Sequence, residues 1–384
     1  MTVNQIYTIM NTVTGEILGE TAVVAEDLSN IVDIGTAIFN ATDVDNYVKS
    51  LVNHIGKVIF VNRPYSGNVP SVLMDGWEYG SVLEKISADL PAATENESWE
   101  LVDGTSYDPN IFYKPVVETK FFNKRVTFEV PCSFTERQVK ESFSSREQLN
   151  GFLSMIYNAV DKSMTVKIDA LVMRTINNMI GETINADFGS DPLSSKSGVK
   201  AVNLLHLYND RYGTTLTADN AITDPDFIRF AAFEMGVYTS RLSKLSTLFN
   251  IGGKDRFTPS DMLHVVMLAD FKKAANVFLQ SSVFHDNFTA LPNAEEVPYW
   301  QGSGTGYTFA DTSAINIKTA SGENISATGI LGVMFDRDTL GVTNLDRRVT
   351  TNYNPKAEFY SNWYKFDAGY FNDTNENFVV FFVA

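Results

Sequence analysis

The sequence predicts an α+β fold, and three observations carry that expectation. A proline-free run from Ser144 to Gly181 repeats apolar residues at helical spacing. Two nearly continuous apolar runs, Met262–Leu268 and Ile330–Asp336, have the length and composition of buried strands, and a helical pattern follows the first of them. The closing stretch, Ala357–Phe371 and Asn377–Ala384, returns to aromatic-rich strand character.

The run from Ser144 organises the rest. Ser144 and Glu147 stand at capping-box spacing, where a hydroxyl and a carboxylate each satisfy an orphan amide. Leu149, Phe152, Leu153, Ile156, Val160 and Met164 then share one face, and Gly181 is the expected stop. Such a helix spans about 50 Å. Beyond Met164 the stripe passes through Ile168, Leu171, Val172, Ile176 and Met179, rotating around the axis instead of holding a heptad. Two readings follow: a long core helix of an ordinary domain, or a spine to which lobes attach at different heights.

Residues 1–57 form a lightly patterned leader. It holds one short amphipathic helix on Val44, Tyr47, Val48, Leu51, Val52 and Ile55, and its earlier part is expected to be an arm or irregular structure. Gly56–Asn62 is a strand candidate. Val116–Val130 has strand composition with bulky residues on both faces, and Ala92–Asn110 is acidic and turn-rich. Together these predict a long two-stranded excursion from the compact body. After the spine, a linker over Asp187–Gly198 leads to a mixed α/β lobe over about 199–343, with Pro225 in the first turn of a helix behind Thr223 and Asp224. The two closing strands, separated by a turn opening at Asn372-Asp373, are expected to pair as a hairpin against the spine.

Composition narrows the function. At 384 residues, 44% hydrophobic and 20% charged, the chain has room for two or three lobes with cores. Its single cysteine, Cys132, leaves no intrachain disulfide framework and no multi-cysteine metal site. Residues after Met1 lack a basic region and an apolar core, so no secretory leader is expected, and no run is long enough to span a membrane. A formal net charge of −16 argues against gripping nucleic acid through its phosphates.

No constellation announces catalysis. His54, His206, His264 and His285 are dispersed without metal-ligand spacing; His206 and Asp210 are four apart, too few groups for a metal site. Gly302–Gly306 is glycine-rich but lacks the lysine of a phosphate loop. Asp336, Arg337, Asp338, Asp346, Arg347 and Arg348 form a charged run in which alternating signs suggest a salt-bridged surface or an intersubunit contact. The expectation is a protein without cofactor, metal or active site.

The layout, with the phrases WEYGSVLEKISADLP, LPNAEEVPYWQGSG, TGILGVMFDRDTLGV and EFYSNWYKFDAGYFND, resembles the major capsid proteins of tailed bacteriophages, the Hong Kong 97-type fold. That resemblance implies an N-arm over 1–57, an E-loop over 70–130, a P-domain from 58–69, 131–198 and 344–384 with its spine at about 145–181, and an A-domain over 199–343. It implies hexamers and pentamers tiling an icosahedral shell around double-stranded DNA in the virion, assembled in the host cytoplasm. Portal, decoration and scaffolding proteins are the implied partners, with no membrane. The loop would bury Trp77, Trp99, Ile111, Phe112 and Tyr113 on a neighbour, and Asp336, Arg337, Asp338, Arg347 and Arg348 would make further intersubunit contacts. Some relatives join subunits by a lysine–asparagine isopeptide bond. No lysine lies between Lys85 and Lys114 here, so no crosslink is expected at the tip. The leader lacks strong helical pattern, so a separate scaffolding protein, or none, is expected. The competing readings are an encapsulin-type nanocompartment shell, a phage tail or receptor-binding module, and an enzyme centred on Asp336 and Asp338.

Overall fold

A computed structural model describes residues 3–18, 24–40, 46–52, 54, 72–74, 83–91, 93, 95, 99, 101–281, 292–301, 306, 308–319 and 322–384. In chain order, α1 (Val3–Leu18), α2 (Ile31–Asn40) and α3 (residues 46–52) precede β1 (Leu73–Met74). Strands β2 (Leu83–Ala88), β3 (Val117–Phe122) and β4 (Arg125–Thr135) lead to α4 (Glu136–Ser142) and the spine, α5 (Arg146–Phe188). Then come β5 (Ala201–Asn203), α6 (Leu204–Tyr212), α7 (Ala218–Ala221), α8 (Pro225–Leu242), β6 (Leu263–Leu268), α9 (Ala269–Ser281) and β7 (Glu295–Val297). The chain continues through α10 (Phe309–Thr312), β8 (Ile315–Lys318), β9 (Asn324–Ala327), β10 (Ile330–Asp336), β11 (Leu340–Asn354), β12 (Phe359–Asn372) and β13 (Phe378–Phe382). Among the described residues no helix is long and apolar enough to cross a membrane.

The spine is longer than its sequence pattern implied. Its N-cap is Ser145, whose side chain accepts the Gln148 amide, while Ser144 bonds to Glu141 and Gln148 instead. It does not stop at Gly181. That glycine is buried within the helix because Ile317 of β8 lies against it: a Cβ there would stand 2.2 Å from the isoleucine Cδ1. The helix ends at Gly189, which has φ +56°. Its 43 residues span about 65 Å.

The rotating stripe has a cause in the packing. Near its start Phe152 meets Phe134 of β4 edge-on, ring centroids 5.4 Å apart. At Gly181 the spine meets β8, and at its end Phe188 packs against Phe382 of β13 at 5.7 Å. Different partners around the circumference need apolar residues on different faces, so the spine reading holds and the simple core helix does not.

Two sheets flank the spine. One has the order β1-β11-β12-β4, built on the long antiparallel β11–β12 pair, with a register shift between Asn344 and Arg347. The other has the order β5-β13-β10-β6-β7. Its inner strand β13, between β5 and β10, is buried along its whole length. Phe378, Val380 and Phe382 face the core shared with the spine, while Val379, Phe381 and Val383 face a second core under α6, α8 and α9. That requirement for cover on both faces displaces the expected C-terminal hairpin. β12 pairs with β11 and β4, β13 pairs with β10 and β5, and the two closing strands do not pair with each other.

The leader also departs from expectation. Ile6, Ile9, Met10 and Val13 stand at i, i+3, i+4 and i+7 and are fully buried, so its start is a helix packed on the body instead of a loose arm. Tyr47, Val48, Leu51 and Val52 of α3 are buried as their spacing predicted. The Gly56–Asn62 strand candidate, His285 and the run 302–305 lie outside the described residues. The mixed lobe follows its signals closely. Asp224 accepts the amides of Asp226 and Phe227 ahead of Pro225, fixing the start of α8.

Candidate intersubunit surface

β2 and β3 form an antiparallel ladder from Leu83↔Phe122 to Ala88↔Val117, one half of a projecting hairpin. Val116–Val130 is therefore not one strand. Asn123 and Lys124 break it, sending β3 into the hairpin and β4 into the sheet beside β12. Neither hairpin strand joins a larger sheet, and neither holds a fully buried residue. More than half of the large apolar side chains exposed among the described residues lie between Ile86 and Phe121. Trp99 and Phe112 are each 85% exposed. Exposed apolar side chains gathered in one segment of the chain mark an interaction surface.

The tip has local order of its own. The Val102 amide donates to the Tyr107 hydroxyl at 3.1 Å, and the Thr105 amide donates to the Val102 carbonyl at 3.2 Å. Gly104 takes φ +79° in this turn, and Asp108 accepts the Asn110 amide.

The root is fastened by charge. Lys85 Nζ donates to the carboxylates of Asp373 and Glu376, both at 2.9 Å, and to the Asp338 carbonyl at 3.1 Å. Lys120 Nζ reaches the other oxygen of Asp373 at 3.0 Å. Arg256 Nε donates to Glu376 at 3.2 Å, and Lys254 holds both Asp89 and Glu118 at 3.0 Å. The Asp373 side chain is only 2% exposed. Its burial alone would raise its pKa, yet Lys85, the Asn375 amide and Lys120 outweigh that and hold it below the usual carboxylate range. Burial would likewise lower Lys85, but Asp373 and Glu376 raise it overall. Each strand of the hairpin is thus ion-paired to the body.

The residues singled out in the sequence fall into three groups. Trp99, Ile111, Phe112 and Tyr113 are all exposed, in the segment between the two hairpin strands, and Trp77 lies outside the described residues. Asp336 and Asp338 share a turn after β10, where the buried Asp336 accepts the Asp338 amide at 2.9 Å and the exposed Arg337 donates its amide to Met262. Arg348 is elsewhere, eight residues along β11 from Leu340, about 27 Å at strand rise. It pairs with Asp346 and Asp367. Arg347 stands opposite Phe366 in the same ladder. One run in the sequence is therefore two separate places in the fold.

Sequence reasoning missed the ion-paired root. Its partners lie up to 291 positions apart, as Lys85 and Glu376 do, and no local spacing joins them. The Asp336–Asp338 pair offers a turn-forming hydrogen bond, not an acid–base couple. His54 pairs with Glu16 at 3.1 Å and the His264 ring stacks on Phe335. Among the described residues, no group of His, Cys, Asp and Glu side chains could hold a metal ion.

A long spine between two sheets and an apolar projection fixed by its root suit a protein that works by binding copies of itself. The family model of the Phi29-like phage major capsid protein matches residues 7–382. The chain belongs to that family. It is a structural subunit of a phage capsid, and its place is the virion. Among solved structures, it is similar to the capsid of Staphylococcus phage Andhra, with 12% identity and a TM-score of 0.47, covering 83% of this chain and 84% of that one. It is also similar to the capsid of Cyanophage P-SCSP1u, at 11% identity, TM-score 0.42 and coverages of 84% and 88%. The mature capsid of bacteriophage PhiM1 gives 10%, 0.40, 84% and 87%. Comparison with curated proteins finds no match.

Proposed function

We propose that copies of this capsid subunit close as hexamers and pentamers into an icosahedral shell around double-stranded DNA, each hairpin lying across a neighbouring subunit. The observation that carries the clamp is the contrast within the hairpin. Its root is ion-paired to its own body, while Trp99, Phe112 and Tyr113 at its far end are more than four-fifths exposed and have no cover within the subunit. The hairpin is the E-loop of this reading, α5 the spine of the P-domain, and α1 to α3 the N-arm region. The sheet of β5, β13, β10, β6 and β7 is the centre of the A-domain, so residues 378–382 go with that domain and not with 344–372.

Binding area and geometry suffice for this role, and no turnover is proposed. Assembly takes place in the host cytoplasm with portal and decoration proteins as partners and, with α1 packed into the body, a separate scaffolding protein or none. The tip forms no isopeptide crosslink in this reading, because no lysine lies between Lys85 and Lys114. Electron microscopy and sedimentation of the purified protein, alone and with the neighbouring phage head proteins, test the shell. Rings or closed particles are expected. A species that stays small in every mixture would remove the reading.

A further inference from the structure

We propose that the acidic, aromatic tip of the hairpin from a second copy docks into one basic cavity beside the spine. This rests on the reading of the hairpin as an intersubunit clamp and gives the clamp its address. The cavity, about 440 Å³, opens where the β3–β4 turn, the spine and β8 meet. Lys124, Arg174 and Lys318 line it against a single carboxylate, Glu182. Among the described residues no carboxylate lies within ion-pair distance of those three cations, and the Arg174 guanidinium rests 5.9 Å from the centre of the Tyr370 ring. Three unpaired cations in one hollow stand out on a chain whose net charge is −16. Phe121 and Phe122 add an apolar wall, with Phe122 against Phe371 at 5.2 Å.

The tip has the complementary chemistry. Between Lys85 and Lys114 the sequence carries six carboxylates and no cation. Glu95, Asp103 and Asp108 are exposed there beside Trp99 and Tyr107. Rings and carboxylates together match a hollow of rings and cations. Double-stranded DNA offers the charge but keeps its bases stacked inside, so the apolar wall favours the tip. The subunit's own tip is held away. From Phe122 at the cavity, the ladder runs about 17 Å to Val117 before the tip begins, and the root is fastened by its ion pairs. The occupant is therefore another copy.

Carbodiimide coupling of particles assembled from mixed nitrogen-14 and nitrogen-15 subunits, read by mass spectrometry, tests the address. Hybrid-isotope peptides joining Lys124 or Lys318 to Glu95, Asp103 or Asp108 are expected. Their absence, or coupling of those acids to other lysines, overturns the address while leaving the clamp standing; normal shells from a subunit lacking residues 92–108 would instead remove the clamp itself. Charge exchange gives a second readout. Lys124→Glu with Lys318→Glu is expected to lower particle yield about tenfold, and adding Asp103→Lys with Asp108→Lys to the same chain to restore it. Circular dichroism checks that each variant is folded. A folded variant that is not restored overturns the pairing. So does one whose yield is unchanged while its filled particles retain less double-stranded DNA, which would make the hollow a phosphate contact.

Discussion

Asp373 shows how a single residue ties the hairpin to the body. Its carboxylate is almost fully buried and takes one lysine from each hairpin strand. Asp373→Asn leaves Lys120 without its charge partner and Lys85 with Glu376 alone, and is expected to cost about 1–3 kcal/mol in urea unfolding. The sign of its pH dependence follows from the lowered folded pKa. The stabilisation is present above the unfolded value of about 3.9 and is lost as pH falls through the folded value. The gap between wild type and Asp373→Asn should therefore be full near neutrality and narrow in acid; a gap that widens there would contradict the assignment. Lys85, raised overall, adds the opposite limit: its share is present below about 10.4 and fades as pH rises through its folded value. Glycines make a second residue-scale test. A Cβ on Gly181 would press the terminal methyl of Ile317, which can rotate, whereas one on Gly329 would stand 2.0 Å from the Val383 carbonyl at φ +79°. Gly329→Ala should lower the melting temperature clearly more than Gly181→Ala, because backbone yields less than a side-chain end. Neither constraint was legible in the sequence. Gly181 looked like a helix stop because a glycine after an apolar stripe signals an end equally well as a close approach.

At the scale of elements, the spine was legible in kind and misjudged in extent. Helical periodicity is a local signal and survives in the sequence, but the end of the helix is set by Gly189, inside the stretch Asp187–Gly198 that looked like linker. The same applies to α1. The helical spacing of Ile6, Ile9, Met10 and Val13 was present, but Thr8, Thr12 and Thr14 among them blur the pattern. Strand existence was read well for β6 and β10, and strand pairing was not. Whether β12 folds back on β13 depends on cores that local spacing does not encode. The spine's two kinds of apolar residue can be separated by experiment. Ile176→Ala, at a fully buried site, should cost about 2–5 kcal/mol in the free subunit. Val166→Ala, 64% exposed, should stay within about 0.5 kcal/mol there. Chemical denaturation of both checks the orientation of the whole helix.

For the whole molecule, the sequence showed the broad architecture and the capsid resemblance, because the order of parts is itself a long-range pattern. It did not show the ion-paired root, or that one charged run would be divided between two sites. Replacing residues 92–108 with a short glycine–serine linker tests the assembly role. The variant should remain folded and soluble, since the tip lies beyond the ladder and the root is untouched, and it should fail to close shells by electron microscopy. Normal particles from that variant would show that the hairpin is dispensable.

The position of β13 also governs timing. Its four sheet companions all precede it in the chain, and its partner β5 lies nearly 180 residues earlier. During synthesis the sheet therefore lacks the strand that joins β5 to the β10-β6-β7 ladder, exposing the strand edges of β10 and β5. Such long-range closure is slow and leaves apolar surface open to misassociation. β13 acts as a keystone, so a nascent subunit cannot present its finished lobe to neighbours before residues 378–382 have emerged.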